Sequence, residues 1–592
     1  MRAVDIVTAL CAVAASQCAL AQIDDLLESA WTQPALDVLE MYREVPMCLR
    51  CTNAHALTEL PGISQRTASA IAQTATEAHI TSLDQLADTL CLSPDVAMIL
   101  KLCTTLECSC GGFVRSVDAR MRVVAHRESA AGRIDGTFLY GRAGAQISFQ
   151  PSGAATLVGG WLNMSVDGLR VLLGDGAVLM DTGILFGSAR GLSRGPTSML
   201  SSANTKTVLR PWTGLDRTGA LRGGIAEWTL HTLPINVLAG YGWHTDGKET
   251  TPVTFAGAGV TMGGVSARVL YATGTLWKQS ANAAAYSVSA TGTFASGTWM
   301  AELVTSEQGK TSVALLTNAE VGTTDLGVFL WRYDSSIRSV FGSSVGTSSA
   351  PENSTGVLLS AQHRVRSVLS VAGALTYRER LTRSYITPLP SHLLDVVAEA
   401  LLRTSVASTL SMRLRISQQT ESASGGLWRM MHETFRWSAR VELETALRRS
   451  VVLRVRVDMR AAGAATTHAE SGILGAIAAH WKPLTNITLR AQWALFSAEA
   501  YDAAPYLVSP DVPGVVVPWV ANGVGTRRTV MVRWDCFSWA TLSAQAFVDS
   551  RRNSGASITT TGATLQLDAR LRPPAGRRFL AGISDYATLP AD

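Results

Sequence analysis

The sequence predicts a mainly β fold: a large antiparallel transmembrane β-barrel, with roughly 20 to 26 strands as in the larger outer-membrane barrels, behind a small all-α N-terminal domain. Two observations carry this prediction. After residue 110 the chain alternates apolar and polar side chains with a period of two, which is the period of a strand. Apolar residues make up 47% of the chain, yet they are dispersed and form no run long enough for a membrane-spanning helix.

The first residues have the pattern of an export signal. Arg2 precedes an apolar run that begins at Ile6, and an A-x-A cleavage site occupies positions 19–21. Residues 1–21 are therefore predicted to be a cleaved signal peptide, which places the mature chain in the bacterial envelope. A lipoprotein anchored at Cys18 is the alternative, although the residues before Cys18 form a poor lipobox.

The charge of the chain changes sign near residue 110. Residues 23–110 contain twelve acidic and four basic side chains, a net charge of −8, and the total of +5 then leaves +13 for residues 111–592. Helical periodicity gives way to strand periodicity at the same place. We therefore predict three mature units, listed in chain order: an acidic, Cys-rich domain at 22–110, the barrel at 111–572 and a C-terminal tail at 573–592.

Residues 56–71 are predicted to form two short helices joined by a tight turn. Five apolar residues have the spacing of helix faces that pack together: Leu57, Leu60, Ile63, Ala68 and Ile71. Gly62, which follows Pro61, provides the backbone freedom that such a turn needs. A related turn at residues 90–95, after a helix that Ser82 would cap, predicts a second hairpin packed against the first.

This stretch, Asn53 to Leu102, resembles the tandem helix-hairpin-helix domain of competence-type periplasmic DNA receptors and of DNA-repair proteins. In DNA-binding members the hairpin has the pattern L-P-G-I-G followed by a basic residue, and its backbone NH groups contact a phosphate. The resemblance implies candidate ligand or DNA contacts at the two turns: Pro61, Gly62, Ile63, Ser64, Arg66, Cys91 and Ser93.

Several features separate this chain from the DNA-binding members. Ser64 and Ser93 replace the second glycine of the two hairpins, and Cys91 stands where Gly62 stands in the first. Non-specific affinity for DNA comes mostly from Lys and Arg side chains that neutralise phosphates, which a domain with a net charge of −8 lacks. The sequence favours a structural or protein-docking role, and DNA binding is the alternative.

Six cysteines lie in the N-terminal domain: Cys48, Cys51, Cys91, Cys103, Cys108 and Cys110. An even number in a small periplasmic unit favours disulfides, whose pairing the sequence leaves open. A zinc site built from the first two and the last two of these cysteines is one alternative, and free thiols are another.

Five segments show the strand alternation most clearly: 410–417, 435–444, 451–460, 487–493 and 530–536. Each has one apolar face and one polar or charged face. Across the chain, roughly 22 segments of about 9 to 14 residues follow one another as hairpins, which is the length of a tilted membrane strand and exceeds the usual soluble strand. A soluble sandwich is the alternative for any one segment, but number and length favour a membrane barrel.

The charged positions of these segments are predicted to line the lumen: Arg413, Arg415, Arg436, Arg440, Glu442, Glu444, Arg454, Arg456, Asp458, Arg460, Arg490 and Arg533. Arginines around a pore attract anions. The alternative, which the sequence favours, is that they brace a wide barrel through Arg–Glu ladders in which Glu442 and Glu444 are the partners.

A second resemblance lies at the start of the predicted barrel. The segments are Leu172-Leu173-Gly174-Asp175, Gly183-Ile184-Leu185-Phe186-Gly187-Ser188, Arg210-Pro211-Trp212 and Leu221-Arg222-Gly223-Gly224. Together they resemble a family of bacterial envelope proteins that join an N-terminal helix-hairpin-helix domain to an outer-membrane β-barrel. The resemblance implies architecture and no particular activity.

The sequence contains no catalytic constellation. The G-x-S-x-G pattern at residues 342–346 lies in a Ser/Gly-rich loop without the helix of a hydrolase, and His432-Glu433 lacks the second histidine of a zinc helix. We therefore expect a protein that is not an enzyme, has no cofactor or metal, and contacts outer-membrane lipid and a periplasmic protein. Its expected role is transport or envelope assembly, with the N-terminal domain docking that partner or plugging the lumen; DNA uptake is the alternative.

Overall fold

The computed structural model describes parts of segment 47–106 and most strands and tight connections of segment 114–571. Other residues lie outside the described part of the chain, chiefly 1–46, 107–113, 187–207, 212–220, 275–282, 343–352, 383–390, 423–430, 514–517 and 572–592. The predicted signal peptide and C-terminal tail fall in those ranges.

Among the described residues of the N-terminal segment, three helices have defined bounds: α1 (Gln65–Ala75), α2 (Leu83–Thr89) and α3 (Pro94–Cys103). Two short strands, β1 (Met47–Cys48) and β2 (Thr104–Thr105), pair in parallel. Ser82 caps α2 as predicted, because the backbone N of Gln85 donates to its Oγ at 3.1 Å. None of the described helices has both the length and the apolar character needed to cross a membrane.

An apolar core holds these helices together. The five residues predicted to line the first hairpin, Leu57 to Ile71, are all buried in it. Leu86 of α2 and Ile99 of α3 are buried in the same cluster. The connections that would form the hairpin turns lie mostly outside the described residues, so the helix-hairpin-helix assignment stays a prediction.

One closed antiparallel barrel forms the rest of the described chain. Its strands pair with their neighbours in sequence, and the last pairs with the first through Leu571 opposite Val117. The first strands are β3 (Val114–Val124), β4 (Ser129–Phe138), β5 (Gly141–Phe149), β6 (Ala155–Val166), β7 (Leu169–Leu179), β8 (Val208–Pro211), β9 (Leu221–Leu230), β10 (Ile235–Asp246), β11 (Glu249–Met262), β12 (Val265–Gly274), β13 (Ala283–Phe294), β14 (Gly297–Ser306), β15 (Thr311–Val321), β16 (Thr324–Tyr333) and β17 (Ser354–Arg366). The others are β18 (Leu369–Arg380), β19 (His392–Ser405), β20 (Ser408–Ser422), β21 (Met431–Arg448), β22 (Val451–Ala464), β23 (Glu470–Leu484), β24 (Ile487–Ala498), β27 (Gly523–Phe537), β28 (Ala540–Asn553) and β29 (Ala556–Leu571). A separate small hairpin, β25 (Tyr506–Val508) with β26 (Pro518–Val520), lies between β24 and β27.

β8 and β9 share one neighbour. β8 pairs with β7 at residues 176–179, and β9 pairs with β7 at residues 169–176, so the two behave as one strand interrupted at 212–220. Counted in this way, 24 of the described strands close the ring. The number is even, as in bacterial single-chain barrels, and lies within the range predicted from the sequence.

The two rims of the barrel differ in their connections. One rim, called here the short-turn rim, has turns such as 322–323, 449–450 and 485–486. The opposite, long-loop rim has the connections 180–207, 334–353 and 499–522. β3 begins and β29 ends near the short-turn rim, since Val117 pairs with Leu571 there.

A short connection identifies the inner face of the barrel. Thr182 follows the end of β7 by three residues, which an extended chain covers in about 11 Å. Its backbone N nevertheless donates to Glu302 of β14 at 3.0 Å. β14 lies six strands further round the ring, about 29 Å along the sheet at ~4.8 Å per strand. The wall is therefore curled here, and the connection crosses the space it encloses, so Glu302 lies on the inner face.

The strand register extends this assignment around the sheet. Residues directly opposite each other in neighbouring strands have their side chains on the same face of the sheet. Starting at Glu302 and moving one strand at a time, the successive opposite residues are Ala314, Trp331, Gly356, Arg378, Leu393, Gln419 and Thr434. Because side chains alternate with a period of two, Asp395 of β19, Arg415 of β20 and Arg440 of β21 share the inner face. The apolar residues between them face outward.

Candidate functional site: the inner face of the barrel

Strands β6–β17, called here the packed half, enclose an apolar cluster. The segment 180–186 that follows β7 enters this cluster, where Ile184, Leu185 and Phe186 are buried. Phe186 contacts Phe255 of β11 and Phe341, with ring centroids 4.8 and 5.6 Å apart. The interior of this half is therefore filled by the chain's own side chains.

Glu302 fixes the inward segment to the wall. Its carboxylate accepts hydrogen bonds from the backbone N and the Oγ1 of Thr182 at 3.0 and 2.5 Å, and from the N of Ile184 at 3.3 Å. Ser287 donates to the other oxygen at 3.3 Å. Asp181 pairs with Arg268 at 3.2 Å. A carboxylate that accepts several hydrogen bonds satisfies the backbone NH groups of the inward segment, which has no neighbouring strand to pair with.

A second connection closes the same cluster. After β16 the chain turns inward, which buries Ile337 and Phe341. Ser339 donates through its Oγ to the carbonyl of Leu185 at 2.6 Å, which joins the two inward connections to each other. This region includes Gly342 of the G-x-S-x-G pattern, and the rest of that pattern lies outside the described residues.

Strands β18–β29, called here the charged half, carry ion pairs on their inner face. Arg415 donates from Nε and Nη2 to the two carboxylate oxygens of Asp395 at 2.8 and 3.0 Å. Arg413 pairs with Glu399 at 3.3 Å. Such two-pronged, charge-assisted bonds fix both side chains in one geometry. These contacts link β19 to β20.

The ladder continues across β21 and β22. Asp458 lies between two arginines, since Arg440 donates to one of its oxygens at 2.8 Å and Arg456 to the other at 2.6 Å. Arg454 pairs with Glu444 at 2.8 Å and with Glu442 at 3.4 Å. Neighbouring strands of this half are therefore joined by side-chain ion pairs as well as by backbone hydrogen bonds.

The described residues of the connection between β24 and β27, 499–513 and 518–522, are called here the inner segment and lie across this wall. Arg456 donates to the carbonyl of Tyr506 at 2.6 Å, and Arg460 donates to that of Ala504 at 3.2 Å and lies 4.7 Å from the ring of Tyr506. Farther along, Gln566 of β29 donates to the carbonyl of Pro513 at 3.0 Å. The inner segment therefore spans the inner face from β22 to β29.

An aromatic cluster holds the far end of the inner segment. Trp519 donates from its indole N to Asp549 of β28 at 3.1 Å. The guanidinium of Arg527 lies between two rings, 4.9 Å from that of Trp519 and 4.4 Å from that of Phe547. Such cation–π contacts hold the cation over the ring faces. Trp519 also packs edge-on against Phe496.

Ten of the twelve residues predicted to line the lumen lie in β20–β22, where the structure brings them together. Besides the pairs already described, Arg436 lies 3.9 Å from Asp502 of the inner segment. The other two are separate: Arg490 is buried in β24, and Arg533 of β27 pairs with Asp535 at 3.3 Å.

The residues predicted at the hairpin turns remain largely untested. Ile63 is buried in the helical core, and Arg66 lies in α1, although its side chain is outside the described set. The remaining five lie outside the described residues: Pro61, Gly62, Ser64, Cys91 and Ser93.

The predicted disulfides also stay predictions. The side chains of Cys48, Cys51, Cys91, Cys108 and Cys110 lie outside the described residues. Cys103 is buried in the helical core, and the described cysteines, Cys103 and Cys536, do not form a disulfide with each other. In the described parts of the chain, no group of three or more His, Cys, Asp or Glu side chains is arranged to hold a metal ion.

The second resemblance corresponds to one local contact. Asp175 of β7 and Arg222 of β9 face each other in the ladder, and their side chains pair at 2.7 Å on the outward face. The backbone N of Gly160 donates to the same carboxylate at 2.9 Å. The apolar part of that resemblance after β7 is the inward connection that contains Ile184 and Phe186.

Several inner-face partners were missed from the sequence. Asp395 and Glu399 were not proposed, although they lie four residues apart in β19 and so share the face that meets β20. That spacing was the available signal. Nothing local marked Glu302, since its neighbours show an ordinary strand alternation.

No protein-family model and no curated protein matches this chain. Solved structures with similar chains include the ferripyoverdine receptor of the outer membrane of Pseudomonas aeruginosa, at 8% identity and a TM-score of 0.40, covering 78% of this chain and 72% of that one. The copper transporter OprC has 8% identity and a TM-score of 0.41, covering 78% and 82%. The FrpB iron transporter from Neisseria meningitidis has 8% identity and a TM-score of 0.38, covering 77% and 82%. The barrel of this chain is established by its own strand pairing.

Proposed function

We propose that this chain is an outer-membrane β-barrel that forms a passage for small solutes and is not an enzyme. The observation that carries the proposal is the outward face of the barrel. Its central belt exposes aliphatic side chains such as Leu315, Leu359, Val396, Val441 and Val457. A soluble protein rarely leaves so large an apolar surface in contact with water, whereas a membrane barrel requires it.

Aromatic side chains border this belt on both sides. Exposed rings near the long-loop rim are Tyr241, Trp243, Tyr271, Tyr286, Tyr377, Phe435 and Trp437, and those near the short-turn rim are Trp228, Phe294, Trp481, Trp534, Phe537 and Trp539. Two aromatic girdles around an apolar band are the pattern of transmembrane barrels, because amphipathic rings favour the two membrane interfaces.

The lengths of the connections at the two rims support an orientation of the barrel relative to the periplasm. Barrels of the outer membrane have short periplasmic turns and longer external loops, so we place the short-turn rim in the periplasm. The chain enters β3 at that rim, which puts residues 22–110 on the periplasmic side. We propose that this acidic domain, with its helix-hairpin-helix fold and disulfides, docks a periplasmic protein or plugs the lumen.

A solvent-accessible interior supports the passage. Although they lie on the inner face, the side chains of Arg413 and Arg415 are each 34% exposed. The charged half is therefore not filled in the way the packed half is. Together with the inner-face residues of the ladder, these arginines would line a water-filled lumen.

Insertion of the purified full-length protein into planar lipid bilayers tests this proposal. We expect discrete, stable conductance steps from single barrels. Protein that folds and inserts but never conducts would overturn the passage. Titration of the same protein with a labelled DNA duplex addresses the alternative role of the N-terminal domain: binding that weakens steeply with salt would favour DNA uptake instead.

A further inference from the structure

Two arginines of the charged half, Arg415 and Arg440, lie above their carboxylate partners. Asp395 is 1% exposed while Arg415, which holds it, is 34% exposed. Asp458 is 4% exposed, whereas Arg440 above it is 26% exposed. In both pairs the negative charge is buried in the wall and the positive charge faces the interior.

Side-chain length explains this order. An aspartate places its carboxylate one carbon from the backbone, whereas an arginine extends its guanidinium beyond three methylene groups and can lie over its partner. The longer Glu444 does not follow the rule: it is 35% exposed and its partner Arg454 is 15% exposed. The order is therefore a property of the Asp395 and Asp458 pairs and not of every ion pair on this face, since Asp535 is 43% exposed and its partner Arg533 is 23% exposed.

Ion pairs of this kind act as oriented dipoles. Each pair contains one positive and one negative charge and is neutral overall. The charge that lies nearer to the lumen nevertheless dominates the potential that an ion in the lumen experiences. Arg413 and Arg436 add further exposed guanidiniums on the same face, and their side chains are 34% and 29% exposed. At the Asp395 and Asp458 pairs, the inner wall of β20–β22 therefore presents guanidinium groups to the interior although its charges are paired.

We propose that this wall selects anionic solutes that carry carboxylate or phosphate groups. The inference rests on the proposed passage. A planar guanidinium with two parallel NH donors matches the oxygens of such groups, which makes arginine the preferred partner for them. Bracing and anion selection, which were alternatives at the level of sequence, then become two functions of the same residues.

The reversal potential of single barrels in a KCl gradient tests the selection. We expect wild-type protein to favour chloride over potassium by about threefold or more. The variant Asp395→Asn/Arg415→Gln keeps the net charge but removes an exposed cation, and we expect it to lower this ratio by about half. An unchanged ratio in this variant, or a cation preference in the wild type, would overturn the inference.

A matched control exists on the outward face. Asp175 and Arg222 form an ion pair with the same depth order, 4% against 48% exposed, but they face away from the lumen. Asp175→Asn/Arg222→Gln should leave the chloride preference unchanged. If it lowers the ratio as much as the inner pair does, the effect comes from general loss of ion pairs and the inference fails.

A measurement on wild-type protein alone avoids dependence on folding of the variants. Inorganic tripolyphosphate added at millimolar concentration should reduce the chloride current by at least about half, because its charges bind the guanidinium surface. A conducting barrel that tripolyphosphate does not affect overturns the anion site and leaves the passage in place. Absence of any conductance overturns the passage and the inference with it.

Discussion

The packed half and the charged half of the barrel solve the same problem in different ways. In both halves the outer face of the barrel wall is apolar, and the side chains on the inner face line or fill the barrel interior. The packed half folds two connections inward and buries their apolar side chains, such as Phe186 and Phe341, against its own strands. The charged half places arginines there and leaves them partly exposed to solvent. The outward faces of the two halves are therefore alike, while their inward faces differ in chemistry.

The largest effect is expected where the packed half is truncated. Phe186→Ala would remove a ring that is 2% exposed and contacts two other rings, and we expect a loss of about 3–5 kcal/mol in the free energy of unfolding. Guanidinium titration of protein folded into lipid vesicles measures it. Tyr286→Ala, at an exposed ring, is the control and should cost far less. Equal losses would mean that the packed cluster is not a core.

A charge on the outer belt should affect both halves alike. Leu315→Arg in the packed half and Val457→Arg in the charged half each place a cation among exposed apolar residues, which face lipid in the proposed membrane barrel. We expect each to cost about 2–4 kcal/mol, as for a cation near the middle of a bilayer. Unfolding titrations in vesicles measure both. Ala478→Arg, on the inner face of β23, is the control, and a cost as large as that of Val457→Arg would contradict the assignment of faces.

Removal of one partner of a buried pair should have an intermediate effect. Arg415→Gln takes two hydrogen bonds from Asp395, whose side chain is 1% exposed, and we expect a loss of about 1–3 kcal/mol. The double variant Asp395→Asn/Arg415→Gln should recover most of that loss because no buried charge is left without this partner. A double variant less stable than the single one would show that the pair itself stabilises the wall strongly.

The smallest effect is expected at Arg436, near the long-loop end of β21. Arg436→Gln removes a side chain whose carboxylate neighbour, Asp502, is 3.9 Å away and 65% exposed. Exposed pairs of this kind contribute little, so we expect a change of about 0.5 kcal/mol or less in the free energy of unfolding. A loss comparable to that of Arg415→Gln would mean that the inner segment is held mainly through Arg436.

Much of the wall was predictable because alternation is a local property. The run from Phe435 to Glu444 specifies two faces by itself, and the structure has Phe435, Val441 and Leu443 exposed on the outer one. The ladder partners Glu442 and Glu444 were also expected, and both pair with Arg454. The inward path of Ile184 and Phe186 was not, because an apolar connection looks the same whether it forms a rim turn or enters the interior.

The sequence by itself determined the barrel class, the approximate number of strands and the composition of their faces, since each follows from side chains only two residues apart. Only the tertiary structure decided that Thr182 meets Glu302 across the interior, that the inner segment lies across β22–β29, and that Asp395 is buried beneath Arg415. These contacts join residues that are distant in the chain. Their geometry depends on strand register, on how the wall curls and on side-chain depth, none of which is encoded in a local pattern.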